Sequence, residues 1–425
     1  APIYTMCNLA VDQNQLTMET MKRVATRHGL VCLLHEKPYA GVNGSGKHNN
    51  WSIGTDTGEN LLDPGDTPNE NLQFLLVLSC IMKAVDTHAD LLRQSASCVG
   101  NEHRLGGQEA PPAIISIFLG DQLESVVDQI ISNAESVKLL ASGKLDSGVS
   151  TVPVLNKDAT DRNRTTPFAF TGNKFEFRMV GSSDSIADAN TTLNAIVAEA
   201  LCEAADQLER ADDFNAACTK LIHDNMAQHQ RIIFNGDGYS DEWVAEAARR
   251  GLPNLASLVD AVPALTTEKA VKLFTKFGIY TQSELEARAD IMYETYVKTI
   301  KIEANTMIHM AAKHYIPTVI GYTTRLAQSI TAVASACPEA ELSVQRGLLK
   351  DVSARLAEAS AALEQLKPLM DRVDAIQDVK EMAIAYRTAV VPAMDALRYP
   401  IDQLELMVDK SIWPVPTYGD LMFEV

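Results

Sequence analysis

The sequence predicts an α+β protein, with short strands and helices mixed in its first half and helices throughout its second. Three observations carry this. Short apolar or alternating runs, bounded by Gly, Pro, Asn and Asp, recur up to about residue 180. After Ser185, Ala, Leu, Glu and Lys recur at helical spacing to the end. The 425 residues are 46% hydrophobic and 22% charged, which suits a folded chain of two or three structural units and excludes a disordered one.

The elements follow in order. Residues 14–28 place Leu16, Met18, Met21, Val24 and Ala25 on one helical face, with Gly29 as a C-terminal stop. Residues 30–34 read as a buried strand, and residues 48–53 alternate as a second. A Pro/Asp/Gly loop over 61–69 precedes a strongly apolar helix near 71–93, and a long polar loop runs over 95–112. Residues 114–119 look like a strand, and 165–170 and 174–180 like two more, joined by a Thr-Gly-Asn turn. In the second half, 280–314 and 341–370 are long enough for paired rods, and without a sustained heptad they read as packed bundle helices. Pro253, Pro263, Pro317, Pro338, Pro392 and Pro400 are expected to break helices. The tail over 412–425 ends in aromatic and apolar residues and is expected to dock.

A net charge of −18 argues against a nucleic-acid or anionic-membrane surface, although local basic clusters can still bind phosphates. No apolar run has the length of a membrane span. The seven cysteines show no CxxC spacing and are odd in number, so they read as buried free thiols of a reducing cytosol. The chain starts at Ala1-Pro2-Ile3-Tyr4, with no initiator Met and no signal-peptide core, and reads as the middle of a strand. A truncated, processed or incompletely sequenced protein is the expectation.

Three polar segments carry chemistry. The first is the loop from Asn43 to His48, where Gly44 and Gly46 flank Ser45. Glycines let backbone N–H groups approach an anion, and a neutral imidazole can hold a divalent metal beside it. Such a turn by itself is more often a plain tight turn. It matches neither the P-loop nor the dinucleotide fingerprint. The second segment is residues 100–112, where Gly106 and Gly107 precede Glu109 and two prolines close the run. It is either a solvated loop or a mobile flap carrying a carboxylate. The third joins Asn163-Arg164 to the strand Lys174-Phe175-Glu176-Phe177-Arg178. Alternation puts both phenylalanines on one face and Lys174, Glu176 and Arg178 on the other. That polar face either meets bulk solvent or lines a cavity, and two arginines beside a carboxylate suit phosphoryl transfer.

Taken together, these segments resemble glutamine synthetase. That family orders an Asn-Gly-Ser-Gly-x-His turn, a flap ending in Glu-Ala-Pro, an Asn-Arg-[Ser/Thr] segment and an x-Glu-x-Arg strand as they stand at 43–48, 109–111, 163–165 and 175–178. Glu36-Lys-Pro, His48-Asn-Asn-Trp-Ser52, Gly-Gly-Gln-Glu-Ala-Pro-Pro and the Trp-Pro-Val-Pro-Thr-Tyr tail resemble the long, type III class. The resemblance implies an α+β, guanido-kinase-like catalytic domain on an antiparallel sheet, with residues 1–210 as its C-terminal part. Residues 211–425 would form a helical C-terminal region with a docking tail. It also implies ATP-dependent ligation of ammonia to L-glutamate through γ-glutamyl phosphate, in the cytoplasm, by a dodecamer of two hexameric rings.

Residue by residue, the resemblance makes His48 and Glu176 ligands of Mg2+ or Mn2+. Asn43, Gly44 and Arg104 would bind glutamate, with Arg178 at its reacting end. Arg164 would stabilise the transferring phosphoryl group, and Ser52 and Lys174 would lie near ATP. Glu109 would attract ammonium and take its proton. Asn50 and Ala169 depart from the short classes, which place a His and an Arg there, and no role carries over to them. The family's β-grasp domain and its upstream metal carboxylates would precede Ala1, so the 425-residue chain alone is expected to have little or no activity. A γ-glutamyl ligase for another amine and a non-catalytic oligomerising relative are the alternatives.

Overall fold

The computed structural model describes residues 5–32, 34–38, 41, 43–106, 110, 112–132, 144–145, 155–156, 166–417 and 420. Two compact units divide it, Ala1–Ala289 and Asp290–Val425.

In the first unit, a four-stranded sheet holds β1 (Asn49–Trp51), β2 (Ile117–Phe118), β5 (Phe168–Phe170) and β6 (Phe175–Phe177), in the order β1-β6-β5-β2. A separate pair, β3 (Lys144–Leu145) and β4 (Leu155–Asn156), lies between β2 and β5 in sequence. The expected hairpin is present: β5 and β6 pair antiparallel around Gly172, whose φ of 98° is open to glycine. β1 joins β6 antiparallel, while β2 pairs β5 in parallel, so the sheet is mixed rather than purely antiparallel. The FEF alternation of β6 buries Phe175 and Phe177, and Phe168 stacks on Phe175 at 4.4 Å. Each such ring contributes about 1.5–3 kcal/mol by leaving water.

Helix α1 (Cys7–Arg27) ends where predicted, with Gly29 at φ 72°, but it starts earlier and buries no residue. The expected strand at 30–34 is absent among the described residues. Val31 is 84% exposed, and residues 30–32 and 34 pair with no described strand. The apolar helix divides into α2 (Leu72–Thr87) and α3 (Ala89–Gln94) at His88. α2 is apolar all round and therefore sits inside, packed by α6 (Ala187–Leu208) and α7 (Phe214–His229). Asn71 caps it by accepting from the Phe74 amide at 3.0 Å. The polar segment beyond folds as α4 (Val99–Arg104), and α5 (Asp121–Ile131) follows β2.

The rods form as continuous helices. α11 (Gln282–Met310) and α12 (Ile316–Ala336) are joined by a π-helical turn over Ala311–Tyr315. A second π turn, Tyr386–Val390, precedes α15 (Val391–Met407). Pro317 and Pro392 stand at the second residue after each π turn. Widening the preceding turn relieves the clash of the ring with the carbonyl four residues back, so these prolines are absorbed where breaks were expected. Pro400 likewise lies inside α15. In the second unit, α13 (Ser343–Asp374) packs against α12 and α15. Of the tail, Trp413 is buried and stacks on Tyr315 at 5.1 Å, while residues 418–419 and 421–425 lie outside the described residues.

No described helix is long and apolar enough to cross a membrane. The seven cysteines are unpaired, as expected, but only Cys80 and Cys218 are buried, while Cys7, Cys202 and Cys337 are exposed on helices or their ends.

Candidate active site

The site is built on the β1–β6 pair. Asn50 lies across from Glu176. Continuing that register by one residue at each end sets His48 across from Arg178 and Ser52 across from Lys174. All six positions share the face opposite Phe175 and Phe177. His48 Nδ1 and Glu176 Oε1 approach to 2.8 Å, with His48 the more exposed of the two. At the far end, Ser52 Oγ donates to Asn60 Oδ1 at 2.7 Å, and Lys174 Nζ donates to Asn173 Oδ1 at 3.2 Å. Asn60 Nδ2 in turn donates to the Asn173 carbonyl at 2.7 Å, tying the loop after β1 to the hairpin turn.

The other face of β1 is fastened by α6. Asn49 Nδ2 donates to Asn190 Oδ1 at 2.7 Å and Trp51 Nε1 to Asn194 Oδ1 at 2.8 Å. Two strand residues advance about 6.6 Å and four helical residues about 6.0 Å, so one asparagine per turn can hold alternate strand positions. That grip directs His48 and Ser52 to the open face.

Arg104 and Arg178 are both buried. At 3% exposure, Arg104 reaches from the end of α4 to the strand exit after β6. Its Nη1 donates to Asn101 Oδ1 at 3.0 Å and to the Met179 and Val180 carbonyls, and its Nη2 donates to the Arg178 carbonyl at 2.9 Å. Arg178 Nη2 donates to the Thr166 carbonyl. The 43–46 loop lies against Arg104. A Cβ on Gly44 would come within 2.7 Å of Arg104 Cγ, and one on Gly46 within 2.1 Å of Nη2. Asn43 is exposed beside them. Glu109 and Arg164 lie outside the described residues.

Beneath the loop lies a charged cluster that the sequence reading left without a role. Glu36, 2% exposed, accepts from the Ser183 amide at 2.9 Å and from the Ser183 hydroxyl. Its carbonyl accepts from the Ser45 amide at 2.7 Å. Lys47 Nζ donates to the carbonyls of Ser182 and Asp184. Burial pushes the Glu36 carboxyl up, but the Ser183 donors, its own backbone N–H and His35 outweigh it and hold it below its ordinary value. Burial lowers Arg104 and Lys47, with the Glu36 charge opposing, and it raises Asp184. It also pushes the nearby Cys98 thiol up to about 12, leaving it unreactive. The signals available in sequence were an acid directly after a predicted buried strand, a lysine inside a glycine loop, and the i,i+4 asparagine pair.

An imidazole nitrogen and a carboxylate oxygen converging from neighbouring strands form a donor set suited to Mn2+ or Mg2+. Among the described residues no group of three or more such ligands forms, so this pair would supply only part of a shell.

A family model for the glutamine synthetase catalytic domain matches residues 4–98, and one for the glutamine synthetase C-terminal domain matches residues 217–334. The chain is 44% identical to the type-3 glutamine synthetase of Dictyostelium discoideum, over all of this chain and 58% of that protein. It is 41% identical to the glutamine synthetase of Butyrivibrio fibrisolvens and 40% to that of Bacteroides fragilis, in each case over the whole of this chain. Those matches cover 61% and 59% of the two relatives, so the chain spans about three-fifths of the length of the curated relatives it matches. With both domain models in order and these identities along its full length, the chain belongs to the glutamine synthetase family.

Proposed function

We propose that this chain is the larger part of an enzyme that ligates ammonia to L-glutamate, using ATP and passing through γ-glutamyl phosphate. The observation that carries the reading is the convergence of His48 on Glu176 beside a glycine loop packed on Arg104. The family relationship and the relatives' names support it.

A carboxylate is a poor electrophile, so the γ-carboxylate of glutamate must first take a phosphoryl group from ATP. A Mg2+ or Mn2+ held by His48 and Glu176, with further oxygen donors, would supply charge neutralisation at the phosphates. Asn43, the Gly44 backbone and Arg104 would seat glutamate, and Arg178 would face its reacting end. Arg164 would neutralise charge on the transferring group, while Ser52 and Lys174 would position the nucleotide. Ammonium attacks only after losing its proton, and Glu109 would hold the cation and accept that proton. The 100–112 segment would close over the acyl phosphate and keep water from it.

We further propose that the enzyme acts in the cytoplasm as a dodecamer of two hexameric rings, and that residues 1–210 and 211–425 are its two domain portions. The match of the C-terminal family model from residue 217 supports that division. The 425-residue chain alone is expected to be inactive, because oxygen-ligand metal sites depend on ligand number and charge.

The test is phosphate release by the full-length protein with glutamate plus ammonium, against glutamate plus polyamines. Release with ammonium supports the reading. Release only with polyamines gives a γ-glutamyl-amine ligase, and release with neither gives a non-catalytic relative. Both of those results overturn it.

A further inference from the structure

We propose that Glu36 is a positioning residue for the glutamate-binding end of the site, its main-chain carbonyl and buried carboxylate together fastening three segments into one seat for Arg104. The proposal rests on the ligase reading above and deepens it.

The first segment is the 43–46 loop, tied to the Glu36 main-chain carbonyl by the Ser45 amide. The second is the start of α4, where a Cβ on Gly100 would come within 2.4 Å of Glu36 Oε2. The third is the turn after β6, where Ser183 donates twice to Oε1 and a Cβ on Gly181 would lie 2.8 Å from that oxygen. The carboxylate is thus clasped between two backbone stretches that leave room for no side chain. Lys47 closes the same joint from the loop side: its amide donates to the Val180 carbonyl at 2.9 Å, and its ammonium bonds the carbonyls of Ser182 and Asp184. Arg104 takes its own carbonyl partners from residues 178–180, the strand exit that this turn continues.

An amide at position 36 could satisfy the Ser183 N–H as well as a carboxylate does. What the carboxylate adds is charge, and the basic groups it acts on are His35, Arg104 and Lys47. In a site this dry, an anion that steadies them holds the guanidinium and the loop in one arrangement. The metal pair has separate fastenings, the β1–β6 ladder and the Asn190/Asn194 grip. Losing the Glu36 charge should therefore weaken glutamate binding and spare the nucleotide.

The test uses the full-length protein and two variants, Glu36→Gln and Ser183→Ala, with steady-state kinetics and calorimetric titration of glutamate. Glu36→Gln is expected to raise both the KM and the Kd for glutamate about tenfold, with kcat and the KM for ATP within about twofold of the parent. Ser183→Ala, which keeps the charge and the main-chain donor, is expected to raise the KM for glutamate about threefold and leave ATP unaffected. Unchanged glutamate constants in Glu36→Gln would overturn the proposal, as would glutamate and ATP constants rising together. If Glu36→Gln does not fold, Ser183→Ala decides alone, and unchanged constants there count against it. A parent protein that makes no glutamine refutes the ligase reading. An active parent with an indifferent Glu36→Gln refutes only the role of Glu36.

Discussion

Gly46→Ala tests the packing of the 43–46 loop on Arg104 with a single methyl group. The new Cβ would sit 2.1 Å from Nη2 and 2.2 Å from Cζ of Arg104, so the guanidinium must move by more than an ångström to reach ordinary contact. It cannot do so while bonded to four acceptors at 2.9 to 3.4 Å. Losing two of these charge-assisted bonds costs about 3–5 kcal/mol. For a unit of this size that is a fall in Tm of about 6–10 °C, read by near-ultraviolet circular dichroism on the 425-residue chain. Gly46 is not in the left-handed region, so alanine itself meets no backbone strain there. Gly29→Ala provides the contrast, since φ is 72° with nothing within 4 Å, and its cost of about 1 kcal/mol comes from the backbone alone. The deciding comparison repeats both changes in an Arg104→Ala background. There the cost of Gly46→Ala should shrink by about 2 kcal/mol or more, and that of Gly29→Ala should not change. If Gly46→Ala and Arg104→Ala add within about 0.5 kcal/mol, the loop does not rest on the guanidinium and the reasoning fails.

Asn194→Ala strands the buried Trp51 indole N–H, costing about 1–3 kcal/mol, and amide exchange should show β1 losing protection before β5. Glu109→Gln in the full-length enzyme is expected to lower turnover about a hundredfold or more at every ammonium concentration, read from initial rates of glutamine formation. Because the described residues bring together only His48 and Glu176 as metal donors, the 425-residue chain alone is expected to show no γ-glutamyl hydroxamate formation above background, and a measurable rate would refute the expectation that further donors are needed. The Glu36 carboxyl is held below its ordinary value, so its stabilising effect is complete above about pH 4.3 and disappears as pH falls through the folded value. Asp184, raised by burial, works the other way and favours the folded chain as it protonates. His35, Arg104 and Lys47 act on the Glu36 carboxyl, and Lys47 and Asp188 on that of Asp184. Subtracting the acid limb of Glu36→Gln from that of the parent therefore reports the Glu36 carboxyl together with its coupling to Asp184, which its charge raises, with the variant expected to be the less sensitive to falling pH.

Local rules read part of this fold correctly. The FEF alternation fixed which face of β6 is core, and Gly172 and Gly29 marked a hairpin and a helix end because each needs a positive φ. Periodicity failed where partners decide. The 30–34 run is apolar enough for a strand, yet a strand exists only when a neighbour takes its hydrogen bonds. Prolines 317 and 392 read as breaks because the clash is local, whereas a π turn one step earlier removes it. In the site, His48 and Glu176 were legible from motif order, and the 2.8 Å approach agrees with their pairing. Glu36 was legible only as an acid beside Lys37-Pro38, because its meaning depends on Ser183, 147 residues away. Long-range contacts of that kind leave no spacing to read.

The same separation explains why the two halves of the site can be perturbed independently. The residues proposed to hold the metal inherit their direction from a ladder: the register Asn50 to Glu176 fixes the pleat, and Asn190 and Asn194 fix which face of β1 turns outward. A one-residue slip would exchange His48 for Asn49 and bury the imidazole, so the helix grip acts on identity as well as distance. The residues proposed to seat glutamate have no ladder, because 43–46 and 181–184 are loops joined through one isolated bridge, Gly46 to Gly181. Loops without a ladder need another source of rigidity, and here it is a buried charge clasped between glycines. Strand register resists substitution one residue at a time, since each bond in it carries a small share. A single central carboxylate does not share its role, so sensitivity should concentrate at Glu36 on one side of the site and spread along β1 on the other.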